Sequence, residues 1–242
     1  MGRWFGVAAG VGVHALFALT VWHLFWFLKG ARAPSIPLSF EWAVVDFLLA
    51  LQFAVSHSVL LYPPVRAYLT KTLIPGPFYG LFFCAATCVS LLLTFACWRA
   101  APVVIWELQA TARIAMHVAF GAAWVALLYS LNLTGLGWQT GLTPWLAWVR
   151  GEKPPRREFR PTGAYRVLRH PVYLSFLALV WFTPDMTLDH ALLTGLWTAY
   201  LFYGSWLKDQ RLGAAIGAPY RRYMADVPAY VAWPSWRFAK EP

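Results

Sequence analysis

The chemistry of this chain is concentrated in residues 163–175, Gly-Ala-Tyr-Arg-Val-Leu-Arg-His-Pro-Val-Tyr-Leu-Ser. Arg166, Arg169 and His170 lead straight into Pro171 and an apolar, helix-patterned run from Val172 to Trp181. Proline suits the first turn of a helix, where its missing N–H would have had no partner. His170 is therefore expected near a helix N-terminus, where free N–H groups and the helix dipole favour an anion. In a chain this apolar, that makes a cationic, partly polar pocket at a membrane surface.

Positioning the pocket falls to a set of apolar segments. The chain is 60% hydrophobic and 12% charged, against about 25% charged for a soluble domain. Apolar runs at 5–28, 40–61, 78–98 and 112–133 each approach the roughly 20 residues of a bilayer-spanning helix. The last run, 171–206, is too long for one span, and Thr183-Pro184-Asp185 divides it into a helical hairpin with a short first arm. The expected fold is all-α, a polytopic transmembrane bundle of six membrane segments. Residues 1–133 form the N-terminal transmembrane helices. Residues 134–242 hold the hairpin, with 134–170 and 207–242 as a cytoplasmic cap.

Charge orients this bundle. Sixteen of the 20 basic residues fall on the face holding both termini and the 134–170 loop, and Lys29, Arg32, Arg99 and Arg113 fall on the other. The positive-inside bias places the first face in the cytoplasm. A net charge of +10 raises nucleic acid as a partner, but juxtamembrane placement points to anionic lipid headgroups instead. Residues 5–28 exceed the apolar core of a signal peptide and read as the first helix, despite Ala31-Arg32-Ala33.

Residues 136–149, interrupted by Gly137, Gly141 and Pro144, are too short to span and lie at the interface or re-enter. A helix-like stretch from Trp206 to Leu212 opens a surface-lying tail punctuated by Pro219 and Pro228. Cys84, Cys88 and Cys97 share the third helix without a matching ligand pair elsewhere, so no metal site is expected. His57 is intramembrane, which marks either a functional group or a neutral imidazole bonded to a neighbouring helix. Asp46 needs a partner that the sequence does not name, and Glu107 and Asp185 read as solvated on the outer face.

Gly163 to Tyr173, followed past a hairpin by Ile216-Gly217-Ala218-Pro219-Tyr220-Arg221-Arg222-Tyr223 and Val227-Pro228, resembles the C-terminal signature of a group of membrane methyltransferases. This is the isoprenylcysteine carboxyl methyltransferase and phospholipid methyltransferase group, to which NnrU-like denitrification-associated proteins are related. Phe182-Thr183-Pro184-Asp185-Met186-Thr187 and Phe53 to Ser58 resemble the bacterial methanethiol S-methyltransferases within it. The likeness is specific over 160–228 and looser upstream.

The resemblance implies S-adenosylmethionine as cofactor, 134–242 as the cofactor-binding region, and a bacterial inner-membrane location. It implies S-methylation of a small thiol such as methanethiol, with a lipophilic acceptor or a non-catalytic accessory role as alternatives. The oligomeric state is left open. Tyr165, Arg166, Arg169, His170, Pro171, Tyr173 and Tyr220 would bind the cofactor, whose carboxylate suits the helix N-terminus and the arginines. Asp209 would take the family's acidic role, and Arg169, His170 or Arg211 would favour the acceptor as thiolate.

This chain has Leu207-Lys208-Asp209 where the group has Leu-Glu-Glu, Ser175 in place of Gly and Ile216 in place of Phe. Read without the family pattern, Arg166 and Arg169 are equally arginines snorkelling to phosphate headgroups, and Tyr165 and Tyr173 interfacial anchors.

Overall fold

A computed structural model describes residues 2–30, 40–156 and 158–230. The Ala31-Arg32-Ala33 segment and the end of the tail, 231–242, lie outside the described residues.

Four helices are long and apolar enough to cross a membrane: α1 (Arg3–Leu28), α2 (Phe40–Leu61), α4 (Tyr79–Cys97) and α5 (Ala110–Leu133). A short α3 (Pro63–Thr72) links the second and third of these. The divided run yields α8 (Pro171–Trp181) and α9 (Leu188–Ile216). At 1.5 Å per residue, α8 is only about 16 Å long, roughly half a bilayer core.

Helix contacts close a ring in the order α1, α4, α2, α9, α8, α5. Phe25 of α1 completes it against Phe120 and Trp124 of α5. Leu24, Phe27, Trp98, Phe120, Leu179, Val180, Leu193 and Trp197 pack inside. Trp22, Val55, Leu93, Val118 and Val125 point outward, as an apolar lipid-facing surface requires. This is an integral membrane protein. Several polar groups inside the ring pair between helices. Gln52 of α2 donates to Thr94 Oγ1 and accepts from Ser90 Oγ of α4, and His57 meets Thr87 on α4 at 3.3 Å.

At one end, Val104–Glu107 (β1) and Asp185–Thr187 (β2) form an antiparallel two-stranded ladder, a departure from the all-α expectation. The Val104-Ile105-Trp106 run has the β-branched and aromatic types that fit a pleated surface. Asp185 is not simply solvated: Arg113 grips it through two hydrogen bonds of 2.8 and 2.6 Å. Asp46 accepts from the Arg99 amide at 3.3 Å. Asp189, fully buried at the start of α9, accepts from Trp98 Nε1 and the Ala101 amide.

At the opposite end, α6 (Leu136–Gln139) and α7 (Leu142–Arg150) pack back onto the bundle. Trp145 of α7 donates to the Gly6 carbonyl at 2.9 Å. A Cβ at Gly10 would stand 2.0 Å from the Trp145 ring, so that close approach needs glycine.

The helical pattern of 206–212 proves to be a continuation of α9 rather than a separate tail helix. Leu207, Leu212, Ala214 and Ala215 favour helix, and nothing breaks it until Gly217, at φ +78°, turns the chain into α10 (Ala218–Asp226). This extension carries α9 past the apolar stretch and sets its last turns beside the 163–170 segment.

Candidate functional site

The site assembles where four pieces of chain meet: the 3-10 turn Gly163–Arg166, the start of α8, the last turns of α9, and α10 with the residues after it. Pro171 begins α8 with His170 as its N-cap, and no side chain caps the first-turn amides. The backbone then runs alongside the residues after α10: the Arg169 amide donates to Pro228 O at 2.9 Å and the His170 amide to Ala229 O at 3.1 Å.

Asp209 is the centre of this assembly. Its carboxylate is buried and accepts from Tyr220 Oη at 2.6 Å, His170 Nε2 at 3.1 Å and Arg169 Nη2 at 3.1 Å. Burial alone would raise its pKa, but the hydrogen bonds from His170 and Tyr220, with the charge of Arg169, prevail and hold it below the ordinary carboxylate value. Burial, opposed by the Asp209 contacts, lowers the His170 pKa. The imidazole is thus neutral near pH 7 while the carboxylate is ionised. Tyr220 is raised by burial and by donating to Asp209, and burial pushes Tyr223 up to about 12.

Arg169 faces inward. Besides Asp209, it donates to the Met224 and Val227 carbonyls at 2.5 and 2.8 Å, capping the C-terminal end of α10 as a cation does favourably there. Its guanidinium therefore binds cap to helix. Tyr165 and Tyr173 flank the ammonium of Lys208, whose nitrogen lies 5.8 and 5.4 Å from their ring centres. Lys208 thus rests its cation on two aromatic faces.

A methanethiol S-methyltransferase of Mycobacterium tuberculosis is 33% identical to this chain over 193 residues, covering 79% of the chain and 78% of that protein. This chain belongs to the methanethiol S-methyltransferase family. Methanethiol S-methyltransferase 1 of Bradyrhizobium diazoefficiens is 28% identical over 93% of the chain and 81% of its own length. Nurim of Rattus norvegicus is 28% identical over 76% of the chain and 72% of its own length. No family model matches, and no solved structure matches.

Of the residues that the methyltransferase signature singles out, Tyr165, Arg169, His170, Pro171, Tyr173, Asp209 and Tyr220 come together here. Arg166 is exposed at the rim. Arg211 donates to the Leu61 carbonyl of α2 at 3.1 Å, with its charge still near Tyr173.

Three further residues join the site. Tyr223 donates to the Tyr165 carbonyl at 2.6 Å. Tyr230 lays its ring 5.5 Å from that of His170 and hydrogen-bonds Ser205. Phe159 packs on both Tyr220 and Tyr223. The i, i+3 spacing of Tyr220 and Tyr223 places both on one helix face, a signal that could have found Tyr223. Tyr230 has no such local signature.

Proposed function

We propose that this protein is an S-adenosylmethionine-dependent methyltransferase that S-methylates a small thiol such as methanethiol, giving dimethyl sulfide. Its six membrane segments leave both termini and the cofactor cap on the cytoplasmic face of a bacterial inner membrane. The observation that carries this reading is the convergence of the signature residues on Asp209 at one end of the bundle, within a methanethiol S-methyltransferase family chain.

Two features fit the cofactor. Tyr165 and Tyr173 already hold one cation on their faces, the Lys208 ammonium, as a sulfonium would require. When bound, the sulfonium supplies an electrophilic methyl group. The uncapped first-turn amides of α8 receive the carboxylate, with Arg166 at the rim adding positive charge. Asp209, Arg169 and Tyr220 act beneath, fixing the wall to which these groups belong. A small apolar acceptor arrives from the bilayer side, and reaction then needs alignment and exclusion of water.

One observation favours the competing reading of a non-catalytic relative, namely that Lys208 occupies the aromatic faces itself. Cofactor binding to purified protein in lipid nanodiscs tests the proposal. Binding in the micromolar to millimolar range, weakened by Tyr173→Ala and by Tyr165→Ala, supports it. No binding in nanodiscs or in detergent supports the accessory role.

A further inference from the structure

Resting on that reading, we infer that His170 is the general base that takes the proton from the acceptor thiol, with Asp209 as the residue that positions it. The thiolate, not the thiol, is the effective nucleophile, and an unactivated alkanethiol is mostly protonated near neutral pH. A methyltransferase acting on one must dispose of that proton.

The side chains meet the requirement. An ionised carboxylate only accepts hydrogen bonds, so the 3.1 Å contact between Asp209 Oδ2 and His170 Nε2 places the ring hydrogen on Nε2. In the neutral imidazole Nδ1 then carries a lone pair. That atom is buried and meets no donor among the described residues. An unsatisfied buried acceptor is costly, and His170 is 1% exposed. A carboxylate that fixes the tautomer and stabilises the imidazolium is the arrangement by which other enzymes prepare a histidine base. The acidic residue and the imidazole lie 39 residues apart in sequence, and only the extension of α9 brings them together.

The charged groups that bear on His170 are Asp209, Lys208 and Arg169, and the rings against it are Tyr173 and Tyr230. Tyr173 is held in α8, whereas Tyr230 lies beyond α10. In the step itself the S–H proton passes to Nδ1. The sulfur electron pair forms the new carbon–sulfur bond while the methyl–sulfonium bond breaks and its pair stays on the donor sulfur. The imidazolium, held by Asp209, then releases its proton to water.

The test uses full-length protein in nanodiscs, saturating S-adenosylmethionine, and two thiols, ethanethiol and the much more acidic 2,2,2-trifluoroethanethiol. His170→Gln should lower the ethanethiol rate by about 10²–10⁴-fold and the trifluoroethanethiol rate far less. Asp209→Asn should shift the same ratio in the same direction. Equal losses on both thiols, or loss of donor binding without a change in their ratio, would overturn the assignment.

Wild-type protein gives an independent reading should the variants not fold. Its kcat/KM for ethanethiol should level off above the His170 ionisation. A rate climbing tenfold per pH unit up to the thiol's own pKa means that solvent-formed thiolate reacts, and contradicts the dyad alone. Absence of both donor binding and turnover would instead remove the methyltransferase reading and the dyad with it.

Discussion

Lys208, the residue immediately before Asp209, holds its ammonium nitrogen 5.4 Å from the centre of the Tyr173 ring. Adjacent positions on α9 thus serve opposite purposes. Asp209 is buried in a network of three donors, while Lys208 reaches the aromatic faces proposed for the cofactor. A cation on an aromatic face gains about 0.5–1 kcal/mol at exposed sites and more when desolvated. Lys208→Met, which keeps length and removes charge, should tighten S-adenosylmethionine binding about five- to tenfold. The demethylated product, whose sulfur is an uncharged thioether, should gain little. Calorimetric titration with both ligands checks this, and equal gains for the two would show that charge is not the cause.

Asp209 is not a free partner for a sulfonium, so exchanging it is a structural change first. Removing one member of a buried ion pair costs about 3–5 kcal/mol, and Asp209→Asn should destabilise the cap on that scale. Tyr220→Phe deletes one hydrogen bond to a charged group, for about 1.5–3 kcal/mol. Asp209→Glu, although it keeps the carboxylate, should also destabilise by forcing an extra methylene into the network. Denaturant titration in detergent micelles, with cap fluorescence as readout, ranks the three.

Acid should loosen the same region. His170 has its folded pKa below the unfolded value of 6.5, so the unfolded chain binds the proton first. This contribution to stability is complete above about pH 6.5 and declines as pH falls through the folded pKa. Asp209, also held below the ordinary value of 3.8, adds stability that is lost only at lower pH still. Melting followed from pH 7.5 to 5 should show falling stability below about 6.5. His170→Gln should flatten that slope.

At the other end of the bundle, two aspartates near the hairpin turn should differ sharply. Asp185 and Arg113 are partly solvated, with side-chain exposures of 40% and 37%, so Asp185→Asn should cost under about 1 kcal/mol. Asp189 is fully buried and accepts from an indole and an amide. Asp189→Leu, which leaves both donors unpaired, should cost several-fold more. Thermal unfolding of both variants decides.

Much of this architecture is visible in the primary structure because lipid leaves few choices. Apolar runs of helical length mark α1, α2, α4 and α5 to within a few residues, and Thr183-Pro184-Asp185 marks the break between α8 and α9. The continuation of α9 through Lys208-Asp209-Gln210-Arg211 is hidden, because a change from apolar to charged residues signals the membrane surface and not the end of a helix. The β1–β2 ladder is too short for alternation to register.

At the site, 163–173 stands out as a basic run leading into Pro171 and an apolar helix, and Tyr220 stands out through the likeness to the methyltransferase signature. Their pairing with Asp209 does not, since its bonds to Arg169 and His170 join residues about 40 positions apart. Nor does any local pattern indicate that Arg169 caps α10, or that Arg211 turns to Leu61.

Orientation in the membrane has its own check. Reporter tags at Met1, near Lys153 and at Pro242 should all read cytoplasmic, since 16 of the 20 basic residues then lie inside. An external tag at Pro242 would break the hairpin topology.

The central claim is tested most directly by headspace chromatography of purified protein in nanodiscs given S-adenosylmethionine and methanethiol. The account predicts dimethyl sulfide in one-to-one proportion with the demethylated cofactor, formed about 10²–10⁴-fold more slowly when His170 is replaced by glutamine. Protein that binds the cofactor and remains folded, yet forms no dimethyl sulfide, would contradict it.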